Sequence, residues 1–124
     1  MNQLDMLVRL AAAAAVAGDK KRNFFVGASA LRKDGTYVKS NNGCVHSDTT
    51  VRTKLPYAHA EARLAKKLDI GATVCVIRVK RSGGYGLALP CRRCMELLKR
   101  NKVRRIYFST ADGIASLLLK STTR

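Results

Sequence analysis

The stretch from Ala72 to Ser109 constrains the fold most tightly. A β-branched alternating run, ATVCVIRVK, is followed by SGGYG, by the helix-forming CRRCMELLKR and by a second β-prone run, VRRIYFS. Two strands joined through a helix return to one sheet as a parallel pair, so the spacing predicts a layered α/β architecture in which the last strands run parallel through a crossover helix.

The residues upstream supply the remaining layers. Met1 to Val16 carries Leu4, Leu7, Val8, Ala11 and Ala15 at three- and four-residue steps in an alanine-rich interior, which predicts a helix stopped by Gly18 and Asp19. NFFVGASAL and TYVK flank a Lys-Asp-Gly turn, which predicts a hairpin of Phe24 to Leu31 with Thr36 to Ser40. Asn41 to Tyr57 has the composition of a loop. Ala60 to Leu68 is rich in helix formers, with Gly71 placed for a helix end. SGGYG reads as a flexible loop, and the apolar tail Gly113 to Leu119 as a fifth strand from Ile114 or else a helix. The predicted order is helix, hairpin, helix, strand, helix, strand.

A length of 124 residues with 47% hydrophobic side chains suits one domain spanning 1–124, and no internal repeat or low-complexity linker interrupts it. The sequence has no uninterrupted apolar run of about 18 residues. Ala11 to Ala17 follows Asp5 and Arg9 rather than a basic leader, so a soluble, cytoplasmic protein with no membrane partner is expected. Four cysteines without an export signal fit a reducing compartment, where thiolates are free to hold metal.

Lysine and arginine number 24 against 8 acidic residues, a formal net charge of +16. The charges are spread from Lys20 to Arg105 rather than gathered in a tail. A solvated surface accounts for scattered lysines but poorly for so large a surplus, which favours a phosphate-bearing partner.

Cys91 and Cys94 stand three apart at the start of a predicted helix, behind Pro90, so both sulfurs emerge on one face and can bind one metal ion. A redox pair has the same spacing. His59, which precedes a helix of its own, separates the two readings. One histidine and two cysteines leave the fourth tetrahedral position open for water, as in catalytic zinc centres. Glu61, two residues beyond His59, can approach that water without ligating and carry protons to a leaving amine. These parts suit hydrolytic deamination.

HAE at 59–61 and PCRRC at 90–94, in this order and separated by one strand, resemble the zinc-dependent cytidine and deoxycytidylate deaminase superfamily. VGASALRKDG resembles that family's first hairpin and RRIYFST the strand after its second zinc helix, so the resemblance covers roughly Leu4 to Thr110. It implies a three-layer mixed sheet with helices on both faces, Zn2+ as cofactor, His59, Cys91 and Cys94 as metal ligands, and Glu61 as the general acid/base. It also implies that SNNG holds the substrate through Asn42, with Asn41 as its neighbour, although a turn asparagine serving the backbone explains the same residues. Ala60, between His59 and Glu61, joins the substrate contacts. Tyr57 and Tyr85 can stack on a base or simply cover the edge of the core.

Arg92 and Arg93, between the two cysteines, offer phosphate contacts. Cys44 and His46 form a C-x-H pair with no further ligands, and Cys75, mid-strand between valines, is a core thiol. The resemblance associates histidine as first ligand with deoxycytidylate, tRNA adenosine, guanine and polynucleotide cytosine deaminases. The expected substrate is therefore a cytosine nucleotide, deoxycytidylate ahead of single-stranded DNA or RNA, with tRNA adenosine third. The alternative is a non-catalytic zinc module that binds nucleic acid, which would need Cys44 or His46 as a fourth ligand and leave Glu61 idle. Small members of the superfamily assemble, so a homo-oligomer is expected.

Overall fold

A computed structural model describes residues 2–16, 24–41, 64–80 and 83–119. Its elements are α1 (Gln3–Val16), β1 (Phe24–Leu31), β2 (Tyr37–Asn41), β3 (Thr73–Lys80), β4 (Tyr85–Gly86), α2 (Arg92–Arg100), β5 (Arg105–Thr110) and β6 (Gly113–Leu118). The strands form one mixed sheet in the order β2-β1-β3-β5-β6, with β4 paired to the far end of β3. The β3–β5 pair is parallel, with Thr73 opposite Arg105 and Val76 opposite Phe108, so α2 is the crossover helix. The pairs β1–β2, β1–β3 and β5–β6 are antiparallel.

Two apolar clusters lie on opposite faces of this sheet, because alternate β3 side chains point to opposite sides. Val74 and Val76 face Leu98 of α2, Leu64, Ala28, Ala30 and Ile106. Cys75 and Ile77 face Leu7 and Ala11 of α1. The result is three layers, with helices on both faces.

The small residues of α1 now have a reason. A Cβ on Gly27 would overlap the Ala11 carbonyl oxygen and crowd the Ala15 amide, so the helix rides directly on the β1 backbone. Buried Ala11, Ala14 and Ala15 permit that approach. The Ser29 hydroxyl, also buried, donates to the Leu7 carbonyl at 2.6 Å.

The hairpin turn follows the Asp-Gly signal. The Asp34 carboxylate accepts the Thr36 amide and hydroxyl at 3.0 and 2.6 Å, and these bonds hold its pKa below the ordinary value. Gly35 takes a φ of +94°, which glycine adopts without a Cβ penalty. Asp69 anchors the same turn by accepting the Lys33 and Asp34 amides.

One element differs from the sequence-based expectation, and one alternative left open there is decided. The glycine-rich stretch is not wholly a loop, since Tyr85 and Gly86 pair with Val79 and Arg78 as β4. The tail is settled as a strand, β6, which covers the otherwise open edge of β5. No helix among the described residues is long and apolar enough to cross a membrane.

Candidate metal centre

The chain leaves β3 at Lys80 and turns back into β4, closed by the Gly83 amide donating to the Lys80 carbonyl at 2.8 Å. The next residues form an extended strap, held by a buried serine at the end of β5. The Ser109 hydroxyl donates to the Gly86 carbonyl at 2.7 Å and accepts the Arg78 amide at 2.9 Å. The Ser109 carbonyl accepts the Ala88 amide at 2.9 Å. One residue thus joins β3, β4 and the strap where the regular β3–β5 ladder has ended.

Pro90 then brings the chain into α2 with Cys91 at the N-cap, φ −66° and ψ 169°. The Cys91 carbonyl accepts the Met95 amide at 2.8 Å, while its sulfur makes no capping bond. Cys94, one turn on, is fully buried and Cys91 is exposed, so the pair spans the boundary between core and solvent. Neither sulfur is in a disulfide. Two thiols on one helical turn suit a soft or borderline metal such as zinc. The first turn of a helix carries positive potential that favours the thiolate such a metal requires.

The far end of α2 is closed as firmly. Lys102 adopts φ +61°, its amide donates to Lys99 and the Val103 amide donates to Leu98 at 3.1 Å, the hydrogen-bond pattern of a Schellman motif. Leu98 and Val103 share the same apolar cluster, so the helix and its cysteines are fixed to the sheet.

His59 and Glu61 lie outside the described residues, as do Asn42, Tyr57, Ala60, Cys44 and His46. Asn41 ends β2 opposite Gly27. Among the described residues no third histidine, cysteine, aspartate or glutamate joins Cys91 and Cys94. Tyr85 is half-buried against the cluster of Leu7, Cys75 and Ile77, on the α1 face, whereas α2 packs on the other face. Of the two roles open to Tyr85, packing is the one with observed partners. Arg92 and Arg93 are exposed beside the cysteines, and Arg92 lies 3.9 Å from Glu96 in a solvent-screened i,i+4 pair. Cys75 is a core thiol as expected, its pKa pushed up to about 12 by burial.

Sequence reasoning missed Ser109. A serine at a strand end carries no local signal, since its three bonds arise only once β4 folds back.

The model of the cytidine and deoxycytidylate deaminase zinc-binding region matches residues 1–110. Among solved structures, the cytidine deaminase from Mycobacterium leprae is 22% identical, with 94% of each chain covered and a TM-score of 0.60. The cytidine deaminase from Burkholderia pseudomallei is 18% identical, over 95% of this chain and 93% of that one, with a TM-score of 0.67. No curated protein matches this sequence. The structural likenesses concern the fold, and the family match takes in the whole HAE and PCRRC pattern together with the helix that carries the two thiols. The chain belongs to the cytidine and deoxycytidylate deaminase family, whose zinc-binding region it carries, and is a zinc-dependent deaminase.

Proposed function

We propose that this protein, acting as one domain over 1–124, hydrolytically deaminates cytosine to uracil in a phosphate-bearing substrate, with deoxycytidylate as the first choice. The observation that carries the phosphate is the first turn of α2, where exposed Arg92 and Arg93 stand between the two cysteines. A phosphate approaching that turn meets two guanidiniums and the positive end of the helix.

In this reading His59, Cys91 and Cys94 hold the zinc ion. The ion supplies Lewis acidity that makes water nucleophilic near neutral pH. Glu61 takes a proton from the attacking water and delivers it to the ring nitrogen of cytosine as the C–O bond forms. It then takes the proton of the new C4 hydroxyl and passes it to the exocyclic amine, so that the C–N bond breaks, the C4 carbonyl forms and ammonia departs. Asn42, with Ala60 and Tyr57, is assigned to holding the nucleotide.

A second reading, single-stranded DNA or RNA, is favoured by the net charge of +16, more than one nucleotide needs. Ammonia release from zinc-loaded protein offered deoxycytidylate, cytidine, cytosine-containing single strands and adenosine-containing tRNA separates these substrates. Glu61→Gln is expected to lower turnover by about 10²–10⁴-fold with zinc retained; unchanged turnover overturns its role. The double change Arg92→Gln with Arg93→Gln is expected to raise KM for deoxycytidylate about tenfold, the scale of one charge-assisted hydrogen bond, with a much smaller change for cytidine. Equal changes for both overturn the phosphate assignment. The reading includes a homo-oligomer, which sizing of the zinc-loaded protein tests.

A further inference from the structure

A cavity of about 210 Å³ opens where β3 and β5 begin, between those strands and the first turns of α1. Its polar wall is made by Gln3, Thr73, Arg104, Arg105 and Tyr107, and Leu7 and Leu31 close its apolar side. Among the described residues no carboxylate lines it. It is also remote from the metal centre. The crossover topology puts the first turn of α2 at the opposite end of the strands, a nine-residue helix away, roughly 13 Å at 1.5 Å per residue. The helix packs on the opposite face of the sheet as well.

The side chains at this end are organised rather than merely exposed. Arg105 and Tyr107 project from the same face of β5, and the Arg105 guanidinium sits 6.0 Å from the Tyr107 ring centroid. The same guanidinium donates to the Ser116 hydroxyl on β6 at 3.4 Å. The backbone beneath Arg104 is fixed on both sides, its amide donating to Ala72 and its carbonyl accepting Leu119. Two adjacent arginines, a threonine, a glutamine and a tyrosine therefore surround one opening with donors and, among the described residues, no opposing negative charge. Planar guanidiniums with hydroxyl and amide neighbours match the oxygens of a phosphate group.

We propose that this cavity is a second phosphate-binding site, separate from the metal centre, formed by Arg104 and Arg105 with Thr73, Gln3 and Tyr107. Its ligand is the phosphate of a nucleotide or of a nucleic-acid strand. It requires neither deaminase activity nor any particular deamination substrate.

The test is amide chemical-shift mapping of the full-length, zinc-loaded protein titrated separately with inorganic phosphate, thymidylate and single-stranded oligothymidylate, none of which contains cytosine. Saturable shifts at Gln3, Thr73 and Arg104–Tyr107 are expected with phosphate and with at least one of the other two. Thymidylate alone would identify a mononucleotide as the source, and oligothymidylate alone a strand; either supports the site. The double change Arg104→Gln with Arg105→Gln should weaken the response at least tenfold and should lower the salt dependence of oligothymidylate binding if the strand is the source. Arg105→Lys, which keeps the charge, should recover part of the affinity. If the double variant does not fold, Arg104→Gln alone, at an exposed side chain, carries the comparison. Absence of shifts at this end of the sheet, or shifts that persist unchanged in the glutamine variants, overturns the proposal.

Discussion

Cys75 and Cys94 are buried to the same degree, each with no exposed surface, yet one is a core thiol and the other is the thiol proposed to hold metal. Cys75 sits in the middle of β3, packed with Leu7, Ala11 and Ile77, and burial pushes its thiol up to about 12. The shift has one cause, the apolar surroundings that desolvate the sulfur. Cys94 occupies the first turn of α2, where amides without intrahelical partners point toward the helix mouth and Cys91 lies one turn away. Burial alone therefore does not distinguish a packing thiol from a metal ligand. The direction of the neighbouring backbone dipoles and the presence of a second sulfur do.

The largest effect expected from this contrast is at the metal. Cys94→Ala should lose zinc and with it measurable turnover, read by metal analysis and ammonia release, whereas Cys75→Ala should keep both. Full zinc content in Cys94→Ala would erase the distinction between the two cysteines.

A smaller effect sharpens the contrast through pH. The Cys75 thiol is raised in the folded state from an ordinary 9.0 to about 12. Between these values the unfolded chain has lost a proton that the folded chain still holds, so unfolding becomes easier as pH rises. The contribution of the buried thiol is complete below 9.0 and declines by roughly 1.4 kcal/mol per pH unit above it. Denaturant unfolding of wild type and Cys75→Ala across that window should show wild type losing stability faster. Parallel profiles would mean that water reaches Cys75.

The smallest effect is at neutral pH, where Cys75→Ala should cost about 1–2 kcal/mol through lost packing in the sheet. With the slope above, the stability curves of the two proteins should cross roughly one pH unit above 9.0. A neutral-pH cost near zero would show that α1 closes over the vacated space.

Elements encoded by short-range chemistry were legible in the sequence. Asp34 and Gly35 specify their turn through the side chain of one and the φ of the other, so β1 and β2 fall within a residue of expectation. Valine-rich alternation marks β3, and Pro90 followed by strong helix formers marks the mouth of α2, which is why Cys91 and Cys94 could be placed from spacing alone. What could not be read depends on partners distant in sequence. β4 is two residues from a glycine-rich run and becomes a strand only because the end of β3 offers unpaired backbone groups. β6 lacks a clear alternation and gains its conformation from the exposed edge of β5. Arg105 and Tyr107 are two apart, a period that places them on one strand face, but only α1 lying over that face makes them the wall of a cavity. His59 and Glu61 rest on the family pattern rather than on described geometry.

Ser109 makes part of the protein's vulnerability invisible to any inspection of its reactive groups. Its hydroxyl and carbonyl together secure three neighbouring backbone groups, two of them on the segment that delivers Pro90 and Cys91 to the helix. Alanine is close in size and would look benign in a comparison of residue types, yet it would remove the hydroxyl that serves both the Gly86 carbonyl and the Arg78 amide. A screen for variants that fold, retain every ligand and still bind metal poorly is where such a substitution would surface. The tolerance of this enzyme to mutation is thus set partly by a residue outside the proposed ligand set.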